Sequence, residues 1–266
     1  SYSREIGYFG RARVSVGTPA ASGALLPRVI AFDDWRAVVT LIGAEVGEGS
    51  LLALVVDHSQ PSDIQYSSTS GLPDGDADAA AGHHAMKVPG DDVVVLLYRD
   101  FSDGLWKYAA LAVDGLALSW VGTGGAFPAA VTPCGAMLSP TRLLTSTAAG
   151  HVLYAIPADY SGNPTLVDSA ASPSPVVRFY EIAVGDYLAN MAVDAALERV
   201  TVVGDVLTVT QRLDLTGNSN NGLCETDGGW VMVRDLATEA TLHQLDLAAG
   251  GLALDSTVAI TNIDVA

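Results

Sequence analysis

The chain has 266 residues, 49% hydrophobic and only 16% charged, against about 25% charged in an average protein. Extensive disorder is excluded, because disordered chains are charge-rich and apolar-poor. Thirty acids against thirteen bases give a formal net charge of −17, which argues against binding to nucleic-acid phosphates or anionic lipid.

Twenty-seven glycines and twelve prolines punctuate the chain. Between them lie short runs of Val, Leu, Ile, Thr and Tyr, the pattern of many short strands joined by turns. Ile6–Val16 is the first strand-like piece. Leu51–Ser67 reads as strand, polar turn and strand. Val93–Trp120 predicts three strands, with turns at DFSDG and at Asp114-Gly115; a DG dipeptide between apolar runs is a strong hairpin signal. Arg142–Ala158 gives another hairpin around AAG. Asp186–Arg199 places Leu188, Met191 and Ala192 at helical offsets, yet admits a strand–turn–strand reading equally. Arg199–Thr210 turns at Gly204-Asp205, Trp230–Leu247 is a further hairpin, and Leu252–Ile263 closes the series.

The opening strands of these units fall at 51, 93, 142, 199 and 230, a mean spacing of about 45 residues, which is the period of β-propeller blades. The expectation is an all-β fold, a β-propeller of five or six blades in one domain over residues 1–266. Its termini would pair in the closing blade and remove open edges. A β-sandwich, single or tandem, is the alternative.

Sites of chemistry are sparse. Asp74, Asp76 and Asp78 alternate as in a calcium loop, but Ala79 and Ala85 stand where Gly and Glu are needed, so a solvated loop is expected. His83 and His84 are adjacent and point to opposite faces of an extended chain; no metal site is expected. Cys134 and Cys224 lack metal-ligand spacing and read as free thiols. Gly122-Thr123-Gly124-Gly125 precedes no helix, so it does not read as a phosphate loop. Glycoside hydrolysis would require two carboxylates on different blades, with Asp33, Asp34, Asp92, Asp194 and Glu198 as candidates. Of the aromatics, Trp35, Tyr98, Trp106, Tyr108 and Trp120 alternate as strand residues do, whereas Phe101 and Tyr160 lie in turns.

Asp92–Trp120, with Tyr98-Arg99-Asp100, Tyr108-Ala109-Ala110 and Asp114-Gly115, together with Leu138-Ser139-Pro140-Thr141-Arg142, resembles the propeller repeats of phage tail-fibre and related virion proteins. That resemblance covers residues 92–160. It implies a non-enzymatic virion protein at a tail or fibre tip, attached to host surfaces and located on the particle. Its partners would be other virion proteins, a host glycan or protein, and further copies of itself, with no nucleic acid and no cofactor. The contacts would come from exposed turns, through Asp57, His58, Asp100, Phe101, Asp103, Asp159, Tyr160 and Asn163. The alternatives are an architectural capsid or tail decoration and a carbohydrate-active propeller enzyme.

Overall fold

The computed structural model describes residues 28–44, 49–59, 65–73, 75–78, 80–191, 196–215, 221–226, 229–236, 239–247 and 252–260. These form twenty strands and no helix. Blade 1 holds β1 (Arg28–Ala31), β2 (Arg36–Ala44), β3 (Gly49–Asp57) and β4 (Gln65–Ser70); blade 2 holds β5 (His83–Lys87), β6 (Val93–Arg99), β7 (Trp106–Asp114) and β8 (Ala117–Ala126). Blade 3 holds β9 (Gly135–Ser139), β10 (Arg142–Thr147), β11 (Gly150–Ala155) and β12 (Thr165–Ala171). Blade 4 holds β13 (Val176–Ala183), β14 (Asp186–Met191), β15 (Ala196–Val203) and β16 (Val206–Asp214), and blade 5 holds β17 (Asn221–Thr226), β18 (Gly229–Leu236), β19 (Glu239–Asp246) and β20 (Ala253–Ile260). Each blade is an antiparallel meander taken in chain order, and five such sheets make the arrangement a five-bladed β-propeller. The described residues of the 186–199 segment are strands, β14 and the start of β15, not a helix. Ile6–Val16, the N-terminal half of the expected closing pair, lies outside the described residues; β20 pairs with β19 inside blade 5.

Two compact units emerge, one of blades 1 and 2 with Pro157–Asn163, the other of blades 3 to 5. In the first unit β1 adjoins β5, and β4 adjoins β8; in the second, β9 adjoins β13, and β12 adjoins β16. The middle strands explain why blades stack. Six of the seven residues of β6 are buried, on both faces alike, so each face needs a neighbouring sheet. Fourth strands are the wet edges, and β16 alternates exposed and covered positions along most of its length, as a half-solvated strand does. In the first unit Phe32, Val38, Leu51, Val94, Leu96, Tyr98 and Leu111 form one core. The second unit has two, around Leu144, Leu153, Tyr187 and Val200 and around Leu188, Leu197, Trp230 and Met232.

Candidate functional site

In a chain this acidic, cations should be neutralised, and most are. Arg36 pairs with Asp33, Arg99 with Asp78, Lys107 with Asp100 and Asp103, and Arg142 with Asp205. Arg199 pairs with Asp186, and Arg212 with Glu198 and Asp214. Among the described residues three cations have no carboxylate partner: Arg28, Lys87 and Arg178. All three stand on the first strand of a blade, β1, β5 and β13.

In the first unit, Arg28 and Lys87 frame one edge-to-edge contact. Arg28 Nε donates to the His83 carbonyl at 3.0 Å, and Lys87 Nζ donates to the Phe32 carbonyl. Both links join residues 55 apart in sequence, so β1 and β5 run side by side in the same direction. Four residues separate the two links on each strand, or roughly 13 Å of extended backbone. Phe32 is buried, with Lys87 Nζ 4.6 Å and the Arg36 guanidinium 5.0 Å from its ring centroid. The ring holds both cations by their attraction to its π face. Asp33 ties Arg36 at 2.7–2.8 Å and caps the turn by accepting from the Trp35 and Arg36 amides. Arg28 keeps four N–H groups of its guanidinium and Lys87 two of its ammonium hydrogens beyond these bonds. This edge can therefore receive a ligand with acceptor oxygens at two ends.

Beneath it, His83 is fully buried, with Nε2 2.8 Å from the Thr40 hydroxyl. Burial and the adjacent Arg28 charge push its pKa down to about 4. The imidazole is thus a neutral structural group at pH 7.

The second unit contains a buried acid–base cluster of a different kind. His151 Nε2 lies 2.6 Å from Glu198 Oε2, while Arg212 donates to Glu198 Oε1 at 2.7 Å and to Asp214 at 2.7 Å. Burial pushes the Glu198 carboxyl up, but the His151, Arg212 and Ser172 hydrogen bonds prevail and hold it below its ordinary value. Both His151 and Glu198 are buried, and the His151 ring packs edge-on against Phe179 at 5.8 Å. The buried His151–Glu198 contact binds blade 3 to blade 4, and Arg212 and Asp214 carry the cluster out to the surface.

Residues expected in exposed turns divide. Asp100 and Tyr160 are buried, at 0% and 4% exposure, which corrects their placement. Asp100 closes the DFSDG turn: Oδ1 accepts from the Ser102 amide at 2.7 Å and hydroxyl at 2.6 Å, and Oδ2 accepts from Lys107 at 3.0 Å. Asp103 is the second partner of Lys107, at 3.0 Å. Phe101 is exposed at 43%, and Asp159 and Asn163 are exposed. Asp57 and His58 are half-buried; the Asp57 carboxylate accepts from the Ser59 amide, and the His58 amide donates to the Trp35 carbonyl. Nothing brings these eight residues together at one site. Of the proposed glycosidic acids, Asp33 and Glu198 are engaged by arginines, Asp34 and Asp92 are exposed, and Asp194 lies outside the described residues. Cys134 is a buried free thiol pushed up to about 11 by burial; the Cys224 side chain is not among the described ones.

The glycine run Gly122–Gly125 is a docking track. Gly124 donates to the Tyr160 carbonyl at 2.8 Å, Gly162 donates to the Gly124 carbonyl at 2.9 Å, and Ala126 donates to Asn163 Oδ1 at 2.9 Å. A Cβ on Gly125 would stand 2.0 Å from the Gly162 carbonyl oxygen, so only glycine admits so close a backbone.

No family model matches the chain, and no curated protein matches it. Solved structures do. A protein from Lactobacillus plantarum aligns over 86% of this chain and 68% of its own, at 14% identity and a TM-score of 0.60. A candidate 6-phosphogluconolactonase from Bacteroides fragilis aligns over 84% and 68%, at 9% identity and a TM-score of 0.55. Its counterpart from Bacteroides uniformis aligns over 83% and 68%, at 10% identity and 0.53. The similarity is one of fold. It overturns the phage tail-fibre resemblance: these neighbours are bacterial proteins, two of them named as lactonases, and none is a virion component. The expectations of a non-enzymatic protein, of host attachment or particle decoration, and of a virion location fall with it. The repeat motif that suggested them encodes a blade, not a role: Tyr98 and Tyr108 are buried in the core, and Asp100 closes a turn.

Proposed function

We propose that the chain is a carbohydrate-directed propeller enzyme that hydrolyses a sugar lactone bearing an anionic group. The observation that carries this reading is the pair of cations without carboxylate partners, Arg28 and Lys87, on adjoining first strands in a chain of net charge −17. The names of the two Bacteroides neighbours support the reaction class. Water adds to the lactone carbonyl, the ring C–O bond breaks, and a carboxylate and a proton leave. The ester is already reactive, so the protein's task is to orient it and to stabilise the oxyanion. One cation takes the developing oxyanion; the other, roughly 13 Å along the strand, takes the anionic arm. Lys87 is suited to the first task because its ammonium is half-buried and already pinned against Phe32. Arg28, exposed and with a two-pronged guanidinium, is suited to the second.

Proton release at constant pH tests the reaction, with 6-phosphogluconolactone and gluconolactone as substrates and a polysaccharide panel assayed for reducing ends. Release above the spontaneous rate, fastest for the phosphorylated lactone, is expected. Cleavage of glycosidic bonds alone, or no acceleration of either lactone, overturns the reading.

A further inference from the structure

The third cation without a carboxylate partner, Arg178, belongs to the second unit and has surroundings of its own. On β13 the register slips between Val176 and Arg178: Val176 faces Met191 and Arg178 faces Asn190, leaving Val177 as an extra residue. Such a bulge bends the strand and re-aims the following side chain. Alternation then sets Arg178 and Tyr180 on one face and Phe179 and Glu181 on the other. The Arg178 guanidinium carbon lies 5.0 Å from the Tyr180 ring centroid. Tyr180 is itself braced by Trp230, edge-on at 6.1 Å and 80°. Trp230 is nearly buried, whereas Arg178 is exposed.

The nearby acids do not neutralise Arg178. Glu181 stands opposite Tyr187 on the other face, and Asp186 is held by Arg199 through contacts of 2.6–3.1 Å. The result is an exposed guanidinium held over the Tyr180 ring, which Trp230 braces edge-on. A guanidinium prepared this way loses little freedom when two oxygens of an oxyanion bind it in two-pronged fashion.

We infer that Arg178, held over the Tyr180 ring that Trp230 braces, is an oxyanion-binding site for carboxylate or phosphate groups of small ligands. It does not rest on the lactone reading, and its test involves no turnover. Binding of an anion draws charge off the Tyr180 face and changes the emission of Trp230 beside it. In the full chain carrying Trp35→Phe, which removes an exposed fluorophore, sodium gluconate and inorganic phosphate are titrated at low salt, with glucose as the neutral probe. Saturable changes with a Kd on the order of 1 mM are expected from both anions and none from glucose. Arg178→Ala should raise each Kd at least about tenfold. Arg178→Lys, which keeps the charge but loses the fork, should fall between. Unchanged titrations in Arg178→Ala, an equal response to glucose, or no saturable response to either anion would overturn the assignment. Gluconate and phosphate answering differently would show which oxyanion the fork prefers, within the same site.

Discussion

Asp100 and His83 illustrate how burial fixes what a side chain is for. The Asp100 carboxylate sits at 0% exposure with every bond directed at its own turn or at Lys107. Burial pushes its pKa up, yet the Ser102 and Lys107 hydrogen bonds prevail, so it stays ionised. Removing it takes from the Lys107 ammonium its buried carboxylate partner. Asp100→Ala is therefore expected to cost about 3 kcal/mol or more, read from urea midpoints at unchanged slope. Gly75→Ala should be nearly as damaging, since its Cβ would fall 1.8 Å from Asp100 Oδ2. His83 makes a pH prediction. Its folded pKa, about 4, is below the ordinary 6.5; between these values the unfolded chain binds the proton that the folded chain refuses. Stability is whole above about pH 6.5 and is lost as pH falls toward 4, by up to about 3 kcal/mol. Denaturation between pH 4 and 7 should show that slope, and His83→Gln, which cannot titrate, should flatten it.

Strands and turns were the most legible level, and the reasons are local. The Asp114-Gly115 turn, the Gly204-Asp205 turn and the apolar run at Val93 each encode their conformation within a few residues, and β6, β7, β8, β15 and β16 lie where those signals put them. Phase within the repeat was not legible. The anchors at 93, 142 and 230 fall on second strands, those at 51 and 199 on third strands. One anchor falls in each blade, and the observed five blades lie within the expected five or six. First strands escaped because they are short and partly polar: β1 is RVIA and β5 is HHAMK. Those strands carry Arg28 and Lys87, so the candidate site was hidden with them. No motif marks these residues; what distinguishes them is the lack of an acidic partner, a property of pairing across blades. The glycine run was visible, but its role was not, because its partner lies some 40 residues on. Gly125→Ala is expected to push Gly162 off the track, at a cost of about 1–3 kcal/mol. Hydrogen exchange at the Gly124 and Gly162 amides should quicken, and proteolysis should open within 158–162, while the blade 4 amides keep their protection.

Across the whole chain, charge is distributed by a simple rule. Eight described acids neutralise cations, five from turns or loops and three from strands of blade 4, and the Arg142–Asp205 pair ties blade 3 to blade 4. Cations left without an acid gather on first strands. A surface of strong net negative charge repels anionic ligands at long range, so local positive sites are what could admit one. The fold alone does not dictate chemistry; 68% coverage of the Bacteroides neighbours at 9–10% identity leaves the reacting groups to be found in this chain's own residues.

The most direct test is the kcat/KM of phosphorylated against unphosphorylated gluconolactone in the parent chain and in Arg28→Ala, Lys87→Ala and Arg99→Ala. Loss of a charge-assisted bond is worth about 1.5–3 kcal/mol. Arg28→Ala should therefore erase about 10- to 100-fold of the preference for the phosphorylated substrate. Lys87→Ala should slow both substrates, and Arg99→Ala, whose cation is already paired with Asp78, should change neither. Equal rates in all four proteins, or a preference lost in Arg99→Ala but kept in Arg28→Ala, would contradict the assignment of the first-strand cations to substrate.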